Sequence, residues 1–158
     1  MIVISDTSVI TNLIQLEQLN LLGQLFDQVI IPRKVHEELG KRPEQTELIS
    51  QLDWIEVRDI SNNDLYNKLL DILDAGESES IALALELNAD LLIIDEKRGR
   101  KIAKDYGIPI TGLLGIIVEA KEVGYINSVK PLLDQLIYDI GFRVSPKLYL
   151  KIMELVGE

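Results

Sequence analysis

Two aspartates in this chain follow short runs of branched apolar residues. Asp6 comes after residues 2–4, and Asp95 comes after residues 91–94. Such runs, with no charge in them, are typical of strands buried on both faces of a parallel sheet. Parallel strands end at one edge, where open α/β sheets bind ligands, so we predict that the two carboxylates converge. For Asp6, capping of the following helix is an equally strong interpretation from these residues alone.

Two glutamates extend this acidic set. Glu77 opens a helix with Ile81 one turn later, so it is predicted to lie on the stripe that faces the sheet. Glu38 follows Val35 by three residues, on the inward side of its own helix. A first-turn acid favoured by the helix dipole is the simpler interpretation of Glu77, and a solvated acid is the simpler one of Glu38. Glu79 is assigned to the solvated face of the helix.

Carboxylates gathered in a water-filled cleft repel one another, and a bound divalent cation offsets that electrostatic repulsion. Mg²⁺ and Mn²⁺ both prefer oxygen ligands, so a metal site is the favoured prediction. The net charge of −10 is unfavourable for nucleic-acid binding, because phosphates are attracted to basic surfaces. It is easier to understand if some carboxylates surround a cation, although a basic protein partner or simple solubility explains it equally well.

Other chemistries have little support in the sequence. The chain has no cysteine and a single histidine, His36, which argues against thiolate sites and histidine-based triads. A receiver-like domain that handles phosphate is a weaker alternative, because neither a phosphate-binding loop nor a suitably placed lysine is evident. The opening apolar run reaches Asp6 too early for a signal peptide, and no run approaches a membrane span. We therefore expect a cytoplasmic protein with no membrane contact.

The apolar pattern predicts strands that alternate with helices. Strands are expected at residues 2–4, 29–32, 54–57 (at an edge), 91–94 and 108–111. Helices are expected as two short segments within 9–26, and at 33–40, 43–52, 65–75, 77–87, 97–106, 113–123, 128–140 and 146–156. This alternation predicts an α/β fold of three layers, α/β/α, with a central parallel sheet of about five strands. One domain is expected over residues 1–158, with a core over about 1–125 and extra C-terminal helices over 126–158.

The order and spacing of these motifs resemble the PIN-domain nucleases. The first strand ends in Asp-Thr-Ser (residues 6–8), with Asn12 a turn later, and a Glu-Leu pair at 38–39 follows the second strand. Glu77 and Asp95 are 18 residues apart (95 − 77), as is usual for the last two acids of that family. Residues 107–112 and 141–145 resemble a prokaryotic PIN subgroup close to the VapC-type toxins.

The resemblance implies an endoribonuclease that cleaves single-stranded RNA with Mg²⁺ or Mn²⁺, as the toxin of a toxin–antitoxin module. The implied catalytic residues are Asp6, Glu38, Glu77 and Asp95, of which Asp6, Glu77 and Asp95 would bind one or two cations. The implied supporting residues are Thr7, Ser8 and Asn12, with Ser8 also expected to cap the first helix. The third acid is usually Asp in the toxin nucleases, so the sequence leaves Glu77 and Glu79 open as the third ligand.

The most basic segment of this acidic chain, residues 97–104, contains Arg98 and Arg100. We expect these two side chains to guide the RNA backbone, and a solvated basic helix is an equally good interpretation. An antitoxin is a further partner that the resemblance implies. A second copy of the chain is another, because the leucine-rich early helices could supply either a dimer interface or core. The alternative function is a non-catalytic PIN-fold module that binds RNA or protein, which the net charge and the glutamate at the third position favour.

Overall fold

The computed structural model describes residues 1–158 and contains one sheet of five strands. The strands are β1 (Val3–Ser5), β2 (Val29–Pro32), β3 (Ile55–Arg58), β4 (Leu91–Ile93) and β5 (Ile110–Thr111). All pairings are parallel, and the spatial order is β3-β2-β1-β4-β5. The chain first builds outward from β1 on one side and then returns to add β4 and β5 on the other. The strand order therefore reverses between β1 and β4, which is the crevice where ligands bind in such sheets.

Ten α-helices connect and follow the strands. They are α1 (Thr7–Gln15), α2 (Asn20–Phe26), α3 (Arg33–Leu39), α4 (Pro43–Ser50), α5 (Asn63–Leu69), α6 (Ala75–Glu86), α7 (Lys97–Asp105), α8 (Leu113–Glu122), α9 (Lys130–Gln135) and α10 (Pro146–Val156). A π-helical turn, Leu136–Ile140, continues α9. None of the helices has the length and apolar composition needed to cross a membrane.

Successive side chains of the strands pack into two cores on opposite faces of the sheet. Val3 and Ile93 belong to the larger core, and their neighbours Ile4 and Leu92 belong to the smaller one. Helices α1–α4 and α8–α10 contribute to the larger core, and α5–α7 contribute to the smaller one. Burial on both faces explains why β1, β2 and β4 are almost entirely apolar, whereas the edge strand β3 contains Glu56 and Arg58. This arrangement confirms the three-layer α/β/α fold, and the buried leucines of α1 and α2 form core.

Two of the helices whose starts differ from the sequence prediction lie beside the candidate site. Helix α1 begins at Thr7, so Asp6 is the residue at the capping position, although no side chain caps this helix. The prediction that Ser8 caps it is wrong, because Ser8 lies within the first turn and is exposed. Helix α6 begins at Ala75 instead of Glu77, because the Asp74 carboxylate accepts a hydrogen bond from the Glu77 amide at 2.8 Å.

The C-terminal helices pack into the larger core. Leu133 and Ile152 are buried in it. The Glu158 carboxylate accepts hydrogen bonds from Lys121 Nζ at 2.7 Å and from the Val129 amide at 2.8 Å. It thereby links the end of α10 to α8 and to the start of α9. The last helix is therefore an integral part of the fold.

Candidate active site

A polar cleft of about 920 Å³ opens beyond the carboxyl ends of β1 and β4. Its lining contains six acidic residues, two basic residues and a single hydrophobic one. The lining residues are Asp6, Thr7, Ser8, Thr11, Asn12, Glu38, Asp74, Glu77, Asp95, Glu96, Lys97, Phe142 and Arg143. The structure thus brings together all four predicted acids and all three predicted supporting residues.

Asp6 is held at the bottom of the cleft by the central strand. Its backbone amide donates to the Ile93 carbonyl at 3.0 Å, which continues the β1–β4 pairing, and the residue is only 4% exposed. Burial raises the pKa of Asp6 from 3.8 to about 7. The Thr7 amide opposes this rise, and the neighbouring carboxylates, Asp74 first among them, add to it. Asp6 is therefore a carboxylate without a cationic partner.

Asp95 approaches the same cleft from β4. Its Oδ1 accepts a hydrogen bond from the Leu113 amide at 3.0 Å, whereas its Oδ2 is buried and has no hydrogen-bond partner. Burial raises the pKa of Asp95, and the Leu113 amide and the Arg100 guanidinium oppose that rise. A Cβ at Gly112 would collide with Asp95 Oδ1, so any other residue there would displace the Asp95 carboxylate. A buried carboxylate oxygen without a partner is costly, and a ligand would satisfy it.

Glu77 enters the cleft from the first turn of α6. Burial raises its pKa from 4.5 to about 8, and the nearby carboxylates of Asp74 and Asp6 contribute to the rise. Gly99 on α7 faces this side chain, because a Cβ at that position would lie 3.3 Å from Glu77 Oε2. Glu77 is buried. The simpler interpretation, a first-turn acid favoured only by the helix dipole, does not account for that burial.

Glu38 enters the cleft from the end of α3. The Thr7 hydroxyl donates to its Oε2 at 2.5 Å. The backbone of Gly76 also lies against this carboxylate, since an added Cβ would be 2.6 Å from Glu38 Oε1. Glu38 is half-buried and forms no ion pair. Its position matches the inward orientation predicted from the sequence.

The assignment of Glu79 to a solvated helix face is wrong. Glu79 is 5% exposed, and its Oε1 accepts a hydrogen bond from the Lys34 amide at 3.0 Å. Helix α6 is buried at every position from Gly76 to Ala84, so it has no solvated face there. Glu79 binds the first turn of α3 and does not line the cleft, whereas Glu77 does. Of the two glutamates left open by the sequence, only Glu77 is placed to be the third ligand.

The two arginines expected to guide RNA do not line the cleft. Arg100 Nη1 donates to the Ile94 carbonyl at 2.7 Å, so this half-buried guanidinium supports the end of β4 beside Asp95. Arg98 is exposed and borders a smaller hollow that shares Glu77 and Glu96 with the cleft. Lys97 is the residue of this basic segment that lines the cleft itself.

Six cleft residues were not among the predicted site residues: Thr11, Asp74, Glu96, Lys97, Phe142 and Arg143. Asp74 had a recognisable signal, because an aspartate three residues before a glutamate marks a helix start. Glu96 follows Asp95 directly. Phe142 and Arg143 reach the cleft from the segment before α10. Residues 141–145 form a recognisable sequence motif, but nothing local in the sequence places that motif at the cleft.

Asp6, Glu77 and Asp95 are the residues that could hold a divalent cation. In this structure no group of three or more acidic or histidine side chains is positioned to hold a metal ion by itself. Mg²⁺ does not require one, because it usually keeps several waters and binds through one or two carboxylates. The oxygen-only donors, the unpartnered Asp95 Oδ2 and the uncompensated burial of Asp6 all fit such a cation.

The family model DUF3368, described as a PIN domain, matches residues 2–158. The chain belongs to the PIN domain family. The match includes the C-terminal helices, beyond the core expected over about residues 1–125. PIN domains are generally nucleases and typically use divalent metals. Among curated proteins, none is detectably similar to this PIN domain.

The raised pKa values predict how pH changes the stability of the metal-free PIN domain. Asp6 ionises near pH 4 in the unfolded chain and near pH 7 in the fold, so the folded state binds more protons between these values. The free energy of unfolding should therefore fall as pH rises from 4 to 8. One pKa unit corresponds to about 1.4 kcal/mol, so Asp6→Asn should raise the melting temperature at pH 8 by several degrees.

Thermal melts in EDTA at pH 5 and pH 8 measure this effect. Asp53→Asn, which neutralises an exposed aspartate outside the cleft, is the matched control and should melt like the wild type. If the melting temperatures of the wild type and Asp6→Asn changed with pH in parallel, the cost of burying the ionised Asp6 carboxylate would be contradicted.

Proposed function

We propose that this PIN domain is a metal-dependent endoribonuclease that cleaves single-stranded RNA. The main support is the grouping of Asp6, Glu77 and Asp95 at the strand-order reversal, where Asp6 and Glu77 are buried, Asp95 is half-buried and none of the three forms a salt bridge. Burying neighbouring carboxylates without a counter-ion is unfavourable in free energy, and a divalent cation bound between them would offset that cost. The proposal includes Mg²⁺ or Mn²⁺ as the cofactor, because all available donors are oxygens.

In this proposal Asp6, Glu77 and Asp95 hold the cation. When bound, such a cation activates water and neutralises charge on a phosphate under attack. Asp95 Oδ2 is the atom with an unused acceptor position, and the Leu113 amide fixes the orientation of its carboxylate. Glu38 is oriented by the Thr7 hydroxyl and would accept a hydrogen bond from water on its side of the cleft. Ser8 and Asn12 would contact phosphate oxygens at the cleft wall.

The proposal further assigns this PIN domain to the toxin component of a toxin–antitoxin module. The support is the resemblance of its motifs to those of the VapC-type toxins. An acidic protein with a net charge of −10 would also attract a basic segment of an antitoxin.

Replacement of Asp6 tests the catalytic proposal. Asp6→Asn should reduce RNA cleavage in Mn²⁺ by at least ~100-fold, because it removes a charged ligand while keeping the shape of the side chain. The assay uses end-labelled single-stranded RNA, with EDTA as the metal-free control and Asp53→Asn as the matched variant. Undiminished cleavage by a folded Asp6→Asn protein would contradict the proposal. RNA binding without cleavage by the wild type would instead favour the non-catalytic alternative.

A pair of isosteric variants tests the identity of the third acid. Glu77→Gln should lose metal-dependent cleavage, because it removes a carboxylate from the cleft. Glu79→Gln should keep it, because an amide oxygen can still accept the hydrogen bond from the Lys34 amide. Both variants are melted alongside the wild type to show that they are folded. Loss of cleavage in Glu79→Gln together with full cleavage in Glu77→Gln would reverse this assignment.

A further inference from the structure

We propose that Phe142 and Arg143 form a nucleotide-binding subsite at the rim of the acidic cleft. In this subsite Arg143 pairs with an RNA phosphate, and Phe142 stacks on an unpaired base. The inference rests on the proposed ribonuclease function and extends it by naming two residues that would hold the single strand.

The segment that carries the two residues is short and fixed at both ends. Gly141 adopts a left-handed conformation (φ 87°), and the Phe142 amide donates to the Leu136 carbonyl at 2.8 Å. At the other end, the Ser145 hydroxyl accepts a hydrogen bond from the Leu148 amide at 3.1 Å and caps α10. A segment held in this way presents its side chains in a defined direction at little further cost in entropy.

Burial alternates along this segment. Phe142 and Val144 are half-buried and pack against the larger core, whereas Arg143 between them is exposed and lines the cleft. The alternation directs the guanidinium away from the core. Arg143 is thus presented to the cleft by residues that the fold needs for its own packing.

Arg143 is a cation without a partner. It forms no salt bridge and no side-chain hydrogen bond, although six carboxylates line the same cleft. Lys97 is the only other basic residue of the lining. RNA must approach this cleft against the charge of those acids, so an unpaired guanidinium at the rim adds to Lys97 a second positive charge that attracts phosphate. The planar guanidinium also matches a phosphate in geometry.

Phe142 is the single hydrophobic residue among the 13 that line the cleft. Its ring packs partly on the core and partly borders the open volume. Aromatic side chains beside basic ones are the usual means by which proteins hold single strands without reading their sequence. The pair therefore suits an unpaired nucleotide better than a duplex, whose bases are already stacked.

Binding of a fluorescein-labelled oligouridine tests the subsite. The titrations use Ca²⁺ in place of Mg²⁺ and are repeated at several salt concentrations, and the RNA is checked for integrity afterwards. Arg143→Gln should weaken binding about tenfold and reduce the salt slope by about 0.7, the value for one phosphate contact on a single strand. Lys147→Gln makes the same charge change four residues away, outside the cleft, and should bind like the wild type.

Phe142→Leu separates stacking from charge. It keeps apolar packing against the core but removes the ring, so binding should weaken about tenfold with an unchanged salt slope. Phe142→Tyr keeps the ring and should restore the wild-type affinity. Melting temperatures of all variants show whether the fold is retained.

The outcomes separate this subsite from the nuclease proposal. RNA that binds with the predicted dependence on Phe142 and Arg143 but is not cleaved upholds the subsite and overturns the nuclease. RNA that is cleaved by the wild type, while folded Arg143→Gln and Phe142→Leu bind it at wild-type affinity, overturns the subsite alone. No detectable binding of the oligouridine by the wild type also overturns the subsite.

Discussion

The cost of burying carboxylates beside one another is the constraint around which this fold is arranged. Two parallel strands on either side of the strand-order reversal each deliver an aspartate to the same crevice, and α6 adds Glu77. Burial raises the pKa of Asp6 to about 7 and that of Glu77 to about 8, so neither is an ordinary surface acid. Such an arrangement lowers the stability of the metal-free fold at neutral pH, and it is understandable where a cation offsets the cost.

The surrounding residues make room for these carboxylates and leave them without counter-ions. A Cβ at Gly112 would collide with Asp95, and one at Gly99 would crowd Glu77. Arg100 is the closest compensating charge, yet its guanidinium donates to the Ile94 carbonyl. The fold therefore orients Asp95 with the Leu113 amide and Glu38 with the Thr7 hydroxyl, and it leaves Asp95 Oδ2 open to a ligand. A rigid shell of this kind is what a metal site needs in order to hold its geometry.

The convergence of Asp6 and Asp95 was predictable. Each follows an uncharged apolar run that is typical of a buried strand, and parallel strands end at the same edge of a sheet. The burial of Glu79 was not predictable, since its assignment to a solvated face assumed that α6 had such a face. Packing against the sheet and against α3, α5 and α7 removes that face. Phe142 and Arg143 were also missed as site residues, because only the path of the C-terminal chain brings them to the cleft. Local patterns thus identified the strand-borne acids, and tertiary packing determined the rest.

Direct titration of the protein with Mn²⁺ by calorimetry tests the central claim, that the buried carboxylates form one divalent-cation site. We expect saturable binding that weakens at least about tenfold in each of Asp6→Asn, Glu77→Gln and Asp95→Asn. Glu79→Gln, an equally buried acid outside the cleft, should bind Mn²⁺ like the wild type. No saturable binding by the wild type, or unchanged affinity in the folded Asp95→Asn protein, would contradict the account.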